Sequence, residues 1–218
     1  MGEIPDLTKE QQIILDEVKE NAFCKENFYF TGGTALSAVY LHHRESDDID
    51  LFSEKKFDNQ ILFTLMTEWS NKQQFQFQSQ FVEVMYIYQL VFSNKNELKV
   101  DFAYYPYTRL EKGQLLDGVK VDSLTDIAVN KLLTITQRDE VKDFVDLYFL
   151  LQKFSIWDLI EGVRIKFKVK LEPFLLSADF LKVEDFVYLP KMIKPLSLEE
   201  LKSFFREKAK EVGRKEVM

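Results

Sequence analysis

Two aspartates separated by one residue carry the clearest chemical signal in the chain. Asp48 and Asp50 alternate with Ile49 and Leu51. Successive side chains of a β-strand point to opposite faces, so this pattern places both carboxylates on one face and both apolar side chains in a core. Adjacent carboxylates repel, and a hard divalent cation such as Mg²⁺ relieves the repulsion while also binding substrate phosphates. The alternatives are a solvated strand edge or an ion pair with Arg44.

A third aspartate lies in a later segment that shows the same alternation. Leu98, Val100 and Phe102 predict one buried face, and Asp101 points to the other. If this strand lies beside the strand of Asp48, the carboxylates converge. Two metal ions about 4 Å apart could then hold the attacking and leaving oxygens of a phosphoryl group in line. A third carboxylate could also take the proton of an attacking hydroxyl.

A pair of glycines precedes the aspartates. Gly32 and Gly33 separate a predicted short strand from a predicted helix that begins at Thr34. Glycine lets the backbone approach a bulky anion, and a helix N-terminus offers unpaired N–H groups and partial positive charge. The pattern therefore predicts a phosphate cradle, although a glycine pair alone is a weak signal.

The predicted strands and helices that position these residues lie in different parts of the chain. Alternating and β-branched or aromatic runs predict strands over 27–30, 48–52, 75–78, 82–92, 97–103 and 119–121. Helical spacing and capping residues predict helices over 8–23, 34–43, 57–69, 122–136, 138–154, 157–168, 174–181 and 198–212. Strands concentrate before residue 122 and helices after it. We therefore predict an α+β fold, with a core domain over 1–121 and a helical region over 122–218.

Composition narrows the class of protein. The chain has 218 residues, a net charge of −7 and a single cysteine, Cys24, which excludes an intramolecular disulfide and favours the reducing cytoplasm. The acidic excess lies in residues 1–150, whereas residues 151–218 carry a mild basic excess. Residues 1–6 lack the pattern of a signal peptide, and no run approaches the ~18 apolar residues of a membrane span. We expect a cytoplasmic protein without a membrane partner.

The motifs together resemble a known family. A glycine pair opening a helix, an Asp-x-Asp strand and a later strand aspartate resemble the polymerase-beta-like nucleotidyltransferase fold. The amino-acid sequences of segments 32–36 and 43–52 resemble those of the AbiEii/AbiGii-type nucleotidyltransferases, which are toxins of bacterial toxin–antitoxin and phage-abortive systems. Segments 126–132 and 138–147 look like later motifs of that family. The resemblance covers about residues 28–151.

This resemblance implies a mixed sheet with flanking helices, a helical C-terminal part and a role for each motif residue. The metal ligands for two Mg²⁺ ions would be Asp48, Asp50 and Asp101. The groups that bind the NTP or brace the metal strand would be Gly32, Gly33, Thr34, Arg44, Ser46 and Lys131. The groups that position Lys131 or the acceptor would be Arg138, Lys142, Asp143 and Asp146.

Some features depart from the wider fold family or have simpler explanations. Many polymerase-beta-like enzymes carry Gly-Ser where this chain has Gly-Gly, and the gap from Gly33 to Asp48 is longer than in minimal nucleotidyltransferases. Both departures fit the toxin branch better than antibiotic-modifying enzymes.

The position of Lys131 is also typical of a surface lysine whose aliphatic stem covers apolar neighbours. Lys142 has the helical spacing of a surface ion pair with Asp146.

Three functions remain open at this stage. The first is Mg²⁺-dependent transfer of an NMP from an NTP to RNA, for example a tRNA 3′ end, or to a protein hydroxyl, with a cognate antitoxin as partner. The second is a nucleotide- or partner-binding module without turnover. The third is modification of a small molecule such as an antibiotic. The intact set of Asp48, Asp50 and Asp101 favours an enzyme.

Overall fold

A computed structural model describes residues 7–214, and the signal-peptide prediction on residues 1–6 lies outside them. The described chain forms two compact units. The first comprises residues 7–40, 46–108 and 112–123, and the second comprises 41–45, 109–111 and 124–214. The domain boundary at 121/122 stays a prediction.

A mixed seven-stranded sheet forms the centre of the first unit. Its strands are β1 (Tyr29–Thr31), β2 (Ile49–Ser53), β3 (Phe75–Val82), β4 (Met85–Phe92), β5 (Glu97–Tyr104), β6 (Gln114–Leu116) and β7 (Val119–Val121). The spatial order is β3-β4-β5-β2-β1-β7-β6. β2 runs parallel to β5 and β1 parallel to β7, while the other neighbours are antiparallel.

Short helices flank this sheet. They are α1 (Lys9–Glu20), α2 (Ala22–Asn27), α3 (Gly32–Ala35), which continues as a π-helix over Leu36–Leu41, and α4 (Asn59–Gln73). Thr8 and Gln11 form the expected capping box at α1. The predicted helix over 8–23 is nevertheless interrupted at Asn21, because the Asn21 side chain accepts a hydrogen bond from the Cys24 N–H and starts α2.

The alternation predicted for β5 is confirmed. Leu98, Val100 and Phe102 are buried. Phe102 contacts the edges of Phe28 and Tyr88, with ring centroids 5.0 and 6.0 Å away. This apolar face holds β5 in the sheet, which fixes the direction in which Asp101 points on the other face.

Two local predictions differ from the structure. β6 was not predicted because its three residues show no buried alternation, and Leu115 is 70% exposed. β3 extends to Val82, beyond the predicted 75–78, because every residue of the strand pairs with β4, and β4 begins at Met85 rather than at the predicted Val82. In both cases pairing with a neighbouring strand extends the sheet beyond the local pattern.

Helices form the second unit. They are α5 (Leu124–Ile135), α6 (Val141–Leu150), α7 (Ile156–Phe167), α8 (Pro173–Leu181), a 3-10 turn over Lys182–Asp185, and α9 (Leu198–Gly213). Gly162 lets α7 approach α5 closely, since a Cβ there would lie 2.4 Å from Val129 Cγ2. The predicted α+β architecture with a helical C-terminal part is confirmed. Among residues 7–214, no helix combines the length and the apolar character needed to cross a membrane.

Candidate active site

The sheet places two of the predicted metal ligands side by side. β2 and β5 are parallel neighbours, and Asp50 is the register partner of Asp101. Asp48 lies immediately before β2. The juxtaposition of Asp50 and Asp101 follows from sheet pairing, because each comes directly after a buried apolar residue that points to the opposite face.

A lysine that the sequence analysis did not single out joins these carboxylates. Lys99 Nζ lies 2.7 Å from Asp101 Oδ2 and 3.2 Å from Asp48 Oδ2. The side chain of Asp101 is only 4% exposed, whereas those of Lys99 and Asp48 are about one third exposed. We call Asp48, Asp50, Lys99 and Asp101 the strand cluster. Lys99 could have been found by sequence, since it lies two residues before Asp101 and therefore on the same strand face.

The strand cluster has a negative surplus. Burial disfavours the ammonium, yet the pKa of Lys99 is raised, because Asp101 accepts its hydrogen bond and Asp101, Asp48 and Asp50 are all close. Three carboxylates against one ammonium leave a formal charge of −2. A surplus of this sign at a partly exposed site attracts cations.

Both the backbone conformation at position 32 and the nearby Asp50 side chain require a glycine there. Its φ is +75°, a conformation that side chains disfavour, and a Cβ there would lie 1.9 Å from Asp50 Oδ2. The helix predicted to begin at Thr34 thus begins at Gly32, directly after β1, and its first residue lies against the Asp50 carboxylate. Gly33 follows as a half-buried residue of α3.

Buried hydroxyl and amide groups fasten the segment before β2. The Thr34 hydroxyl donates to the carbonyl oxygen of Asp48, and Thr34 Oγ1 lies 2.9 Å from Ser46 Oγ. Gln11 Nε2, from α1, donates to the carbonyl oxygen of Ser46 at 2.7 Å. Thr34 and Ser46, both predicted site residues, thus position Asp48. The sequence analysis did not predict this role of Gln11, because the capping box of α1 already accounted for its side chain.

Asp122 ties β1 to the helix that follows the glycines. Its Oδ2 accepts a hydrogen bond from Thr31 Oγ1 at 2.9 Å. Its carbonyl oxygen accepts one from the Tyr40 hydroxyl at 2.7 Å, and its N–H donates to the carbonyl oxygen of Phe30. This buried aspartate holds in place the strand that leads into Gly32.

Five of the other predicted site residues form a second ionic group in the helical unit, together with His43, which the sequence analysis did not predict as a site residue. We call it the helix cluster, and its members are His43, Arg44, Lys131, Arg138, Asp143 and Asp146. Asp146 lies at its centre. One of its oxygens contacts His43 Nε2 at 2.7 Å and Arg44 Nε at 2.6 Å, and the other contacts Arg44 Nη2 at 2.8 Å and Lys131 Nζ at 2.6 Å.

Asp143 pairs with Lys131, which it shares with Asp146, and with Arg138, the remaining cation of the helix cluster. Lys131 Nζ donates to Asp143 Oδ1 at 2.7 Å, and Arg138 Nε donates to Asp143 Oδ2 at 2.7 Å. Asp143, Asp146 and Lys131 are buried, whereas the Arg138 side chain is 52% exposed. The surface position suggested for Lys131 by its sequence context is therefore wrong.

Burial and charge act against each other in the helix cluster. Burial favours the neutral acids, but Lys131 with Arg138 lowers the pKa of Asp143, and Lys131 with Arg44 lowers that of Asp146 further. Burial opposes the charged form of Lys131, yet its pKa is raised because both aspartates are adjacent. Burial lowers the pKa of His43 and outweighs the nearby Asp146. His43 is therefore neutral at pH 7.

Backbone contacts hold the segment that carries His43 and Arg44. The N–H groups of Ile193 and Lys194 both donate to the carbonyl oxygen of His43, at 2.9 and 3.0 Å. Arg44 forms a β-bridge with Met192. Residues 191–194, whose role the sequence did not indicate, thus position two members of the helix cluster.

Lys142, the last predicted site residue, is half-buried on α6. The surface ion pair with Asp146 that helical spacing suggested does not describe its surroundings, because Asp146 is buried among the cations of the helix cluster.

Comparison with known proteins decides the family. The family described as "Nucleotidyl transferase AbiEii toxin, Type IV TA system" matches residues 13–217. The chain belongs to the AbiEii family. A relative from Aquifex aeolicus (strain VF5), the uncharacterized protein aq_aa25, is 33% identical over 94% of this chain and 97% of its own length. As an AbiEii-family member, the chain is a nucleotidyltransferase.

Two solved structures share the fold of this chain. JHP933 from Helicobacter pylori aligns with a TM-score of 0.58 and 19% identity over 96% of this chain and 94% of its own. MenT4, a nucleotidyltransferase toxin from Mycobacterium tuberculosis H37Rv, aligns with a TM-score of 0.54 and 14% identity over 92% of this chain and 82% of its own. The similarity confirms the predicted nucleotidyltransferase fold.

The strand cluster offers carboxylate oxygens, the donors that a hard divalent cation prefers. Within residues 7–214, no three acidic, imidazole or thiol groups are arranged as a ready metal site. Mg²⁺ does not require three, since it usually binds one or two carboxylates and completes its shell with waters and substrate phosphates. The Lys99 ammonium, a stand-in cation, already bridges Asp48 and Asp101. The donor set therefore fits Mg²⁺.

Proposed function

We propose that this AbiEii-family enzyme uses Mg²⁺, with two ions as the working number, to move an NMP from an NTP to RNA. The observation that carries this proposal is the register pairing of Asp50 with Asp101 beside Asp48, in a cluster whose formal charge is −2. A cation-binding carboxylate cluster next to Gly32 is the arrangement that metal-assisted phosphoryl transfer needs.

The proposed transfer is an in-line displacement at the α-phosphorus. An acceptor hydroxyl oxygen forms a bond to the α-phosphorus, the bond from that phosphorus to the oxygen bridging the β-phosphate breaks, and pyrophosphate leaves. Bound Mg²⁺ would supply charge neutralisation at the phosphate oxygens. Asp48, Asp50 and Asp101 would hold the metal, and the Asp101 carboxylate would accept the hydroxyl proton.

Residues next to the strand cluster and, from the family resemblance alone, residues of the helical unit would bind and orient the nucleotide. Gly32 and Gly33 would let the triphosphate approach the backbone. Thr34 and Ser46 would keep Asp48 in place, as their hydrogen bonds indicate. We retain the family-derived proposal that Lys131 contributes to nucleotide binding together with Arg44, and that Arg138, Lys142, Asp143 and Asp146 support it.

The proposed acceptor, partner and compartment rest on the family and on charge. Residues 151–218 carry a mild basic excess, which suits an RNA backbone. A tRNA is the first acceptor to test, and a protein hydroxyl is the alternative outcome. A toxin of a type IV toxin–antitoxin system implies a cognate antitoxin. We place the reaction in the cytoplasm, where NTPs and tRNA occur together.

The test is incubation of purified protein with Mg²⁺, total tRNA and each α-labelled NTP in turn. The control is the double variant Asp48→Ala/Asp50→Ala, which removes two proposed ligands. We expect label on tRNA with the wild-type protein and none with the variant or with EDTA. Label on the protein itself would replace RNA by a protein acceptor. Label that persists in the variant would refute the proposed site.

A further inference from the structure

Lys99 has a position that none of the proposed roles explains. Its ammonium lies between Asp48 and Asp101, bound to one oxygen of each, and Asp50 adds to the surrounding negative charge. These are the oxygens that the proposed function gives to Mg²⁺. A single cation therefore already occupies the carboxylates before any metal arrives.

An ammonium and a divalent ion compete for these carboxylates. Lys99 donates a hydrogen bond to Asp101 Oδ2 and forms an ion pair with Asp48 Oδ2 at 3.2 Å, and a hard cation would bind oxygens of the same carboxylates. Like charges at such short range also repel strongly when the site is partly shielded from water. Because the two cations repel each other, we expect metal binding to move the Lys99 head group.

The structure leaves room for that movement. The Lys99 side chain is 30% exposed, and its flexible four-carbon stem starts from a strand residue on the same face as Asp101. The anion that arrives with the metal is the triphosphate, and an ammonium is a suitable point charge for phosphate oxygens.

We propose that Lys99 is a resident counter-ion of the strand cluster, which Mg²⁺ displaces and which then binds the phosphates of the incoming NTP. The inference rests on the proposed function, since it takes the metal to bind at Asp48, Asp50 and Asp101. Lys99 thereby has two opposite effects. It competes with free metal, and it helps the metal–nucleotide complex to bind.

These opposite effects give a signature that does not depend on turnover. Mn²⁺ binding without nucleotide is measured by electron paramagnetic resonance for wild type, Lys99→Met and Lys99→Arg. We expect Lys99→Met to tighten Mn²⁺ binding about tenfold, because a competing unit charge is removed. Lys99→Arg keeps the charge and should stay close to wild type. Lys55→Met, at an exposed position of the same unit, is the matched control.

A second titration uses Mg²⁺ with a non-hydrolysable NTP analogue. Here Lys99→Met should weaken binding about tenfold, since one charge-assisted contact to phosphate is lost. If Lys99→Met weakens or leaves unchanged the binding of Mn²⁺ alone, the counter-ion proposal is wrong. If it leaves analogue binding unchanged, the phosphate contact is wrong.

Asp101→Asn separates this inference from the proposed function. We expect Asp101→Asn to reduce Mn²⁺ binding strongly, because it removes a proposed ligand. If it does so while Lys99→Met has no effect, the metal site stands and the counter-ion role falls. If Asp101→Asn leaves Mn²⁺ binding intact, the proposed function itself loses its metal site. Urea unfolding of each variant checks that the protein is folded in every titration.

Discussion

The strand cluster and the helix cluster both combine aspartates with cationic side chains, but they differ in charge and exposure. The strand cluster sets three carboxylates against one ammonium and is partly exposed. The helix cluster sets three cations against two carboxylates, adds a neutral histidine and buries both acids completely. The surplus carboxylates of the strand cluster therefore suit a further cation, whereas both carboxylates of the helix cluster already have cationic partners within it.

This difference has an energetic consequence. Removing one partner from a buried ionic network leaves uncompensated charge in a medium that solvates it poorly, which strongly destabilises the fold. Removing one carboxylate from a partly exposed cluster with a negative surplus relieves repulsion instead. Variants of the two clusters should therefore separate stability from activity.

The largest expected effect follows from Asp146→Asn. The substitution removes the charge that Arg44 and Lys131 share, and we expect it to lower the free energy of unfolding by about 3–5 kcal/mol. Urea unfolding followed by circular dichroism measures the loss. The matched variant Asp48→Asn should change stability by less than about 1 kcal/mol. Equal losses in the two variants would contradict the distinction between the clusters.

The next effect concerns Lys131, for which a fold role and a phosphate role make different predictions. Its ammonium holds both Asp143 and Asp146, so we expect Lys131→Met to cost about 3 kcal/mol of unfolding free energy. Affinity for an NTP analogue, measured on the folded fraction, tests the phosphate role. Unchanged stability together with lost affinity would show that Lys131 binds nucleotide rather than supports the helices.

Gly32→Ala should affect both stability and activity. Alanine is disfavoured at φ +75°, which costs about 1–2 kcal/mol, and its Cβ would displace the Asp50 carboxylate. We expect a loss of this size in urea unfolding together with loss of label transfer. Gly118→Ala is a suitable control, because Gly118 also has a positive φ and its nearest neighbour is the Lys19 side chain. Full transfer by Gly32→Ala would contradict the importance of this contact.

The smallest effect is a pH dependence that belongs to the helix cluster. Burial lowers the pKa of His43 below its ordinary 6.5, so the unfolded chain takes up a proton below that pH while the folded chain does not. Stability should fall from pH 7 to pH 5, by at most about 1.4 kcal/mol per pH unit. Asp143 and Asp146 have lowered pKa values, so their stabilisation is retained above their ordinary 3.8 and lost only at lower pH.

His43→Gln tests this assignment. The chain has only two histidines, His42 and His43. We expect the variant to be less stable at pH 7 and to lose much of the change between pH 7 and pH 5. Urea unfolding at both pH values measures the change. An unaltered slope would assign the pH dependence to another group.

The sequence predicted the strand cluster better than the helix cluster, for a physical reason. Alternation along one strand places Asp101 opposite its apolar neighbours, and a single pairing of β2 with β5 then brings it to Asp50. Lys99 followed the same rule and was overlooked. In the helix cluster, spacing along α6 suggested surface pairs for Asp146, but its partners come from α5 and from a segment about one hundred residues earlier. Such tertiary contacts leave no local pattern.

The most direct test of the central claim combines transfer and unfolding on the same preparations of wild type and Asp50→Asn. Mg²⁺-dependent incorporation from an α-labelled NTP is measured beside urea unfolding. We predict that Asp50→Asn keeps the unfolding free energy of wild type within about 1 kcal/mol and loses incorporation. Incorporation by the folded Asp50→Asn variant at the wild-type rate would contradict the claim that the strand cluster is the transfer site.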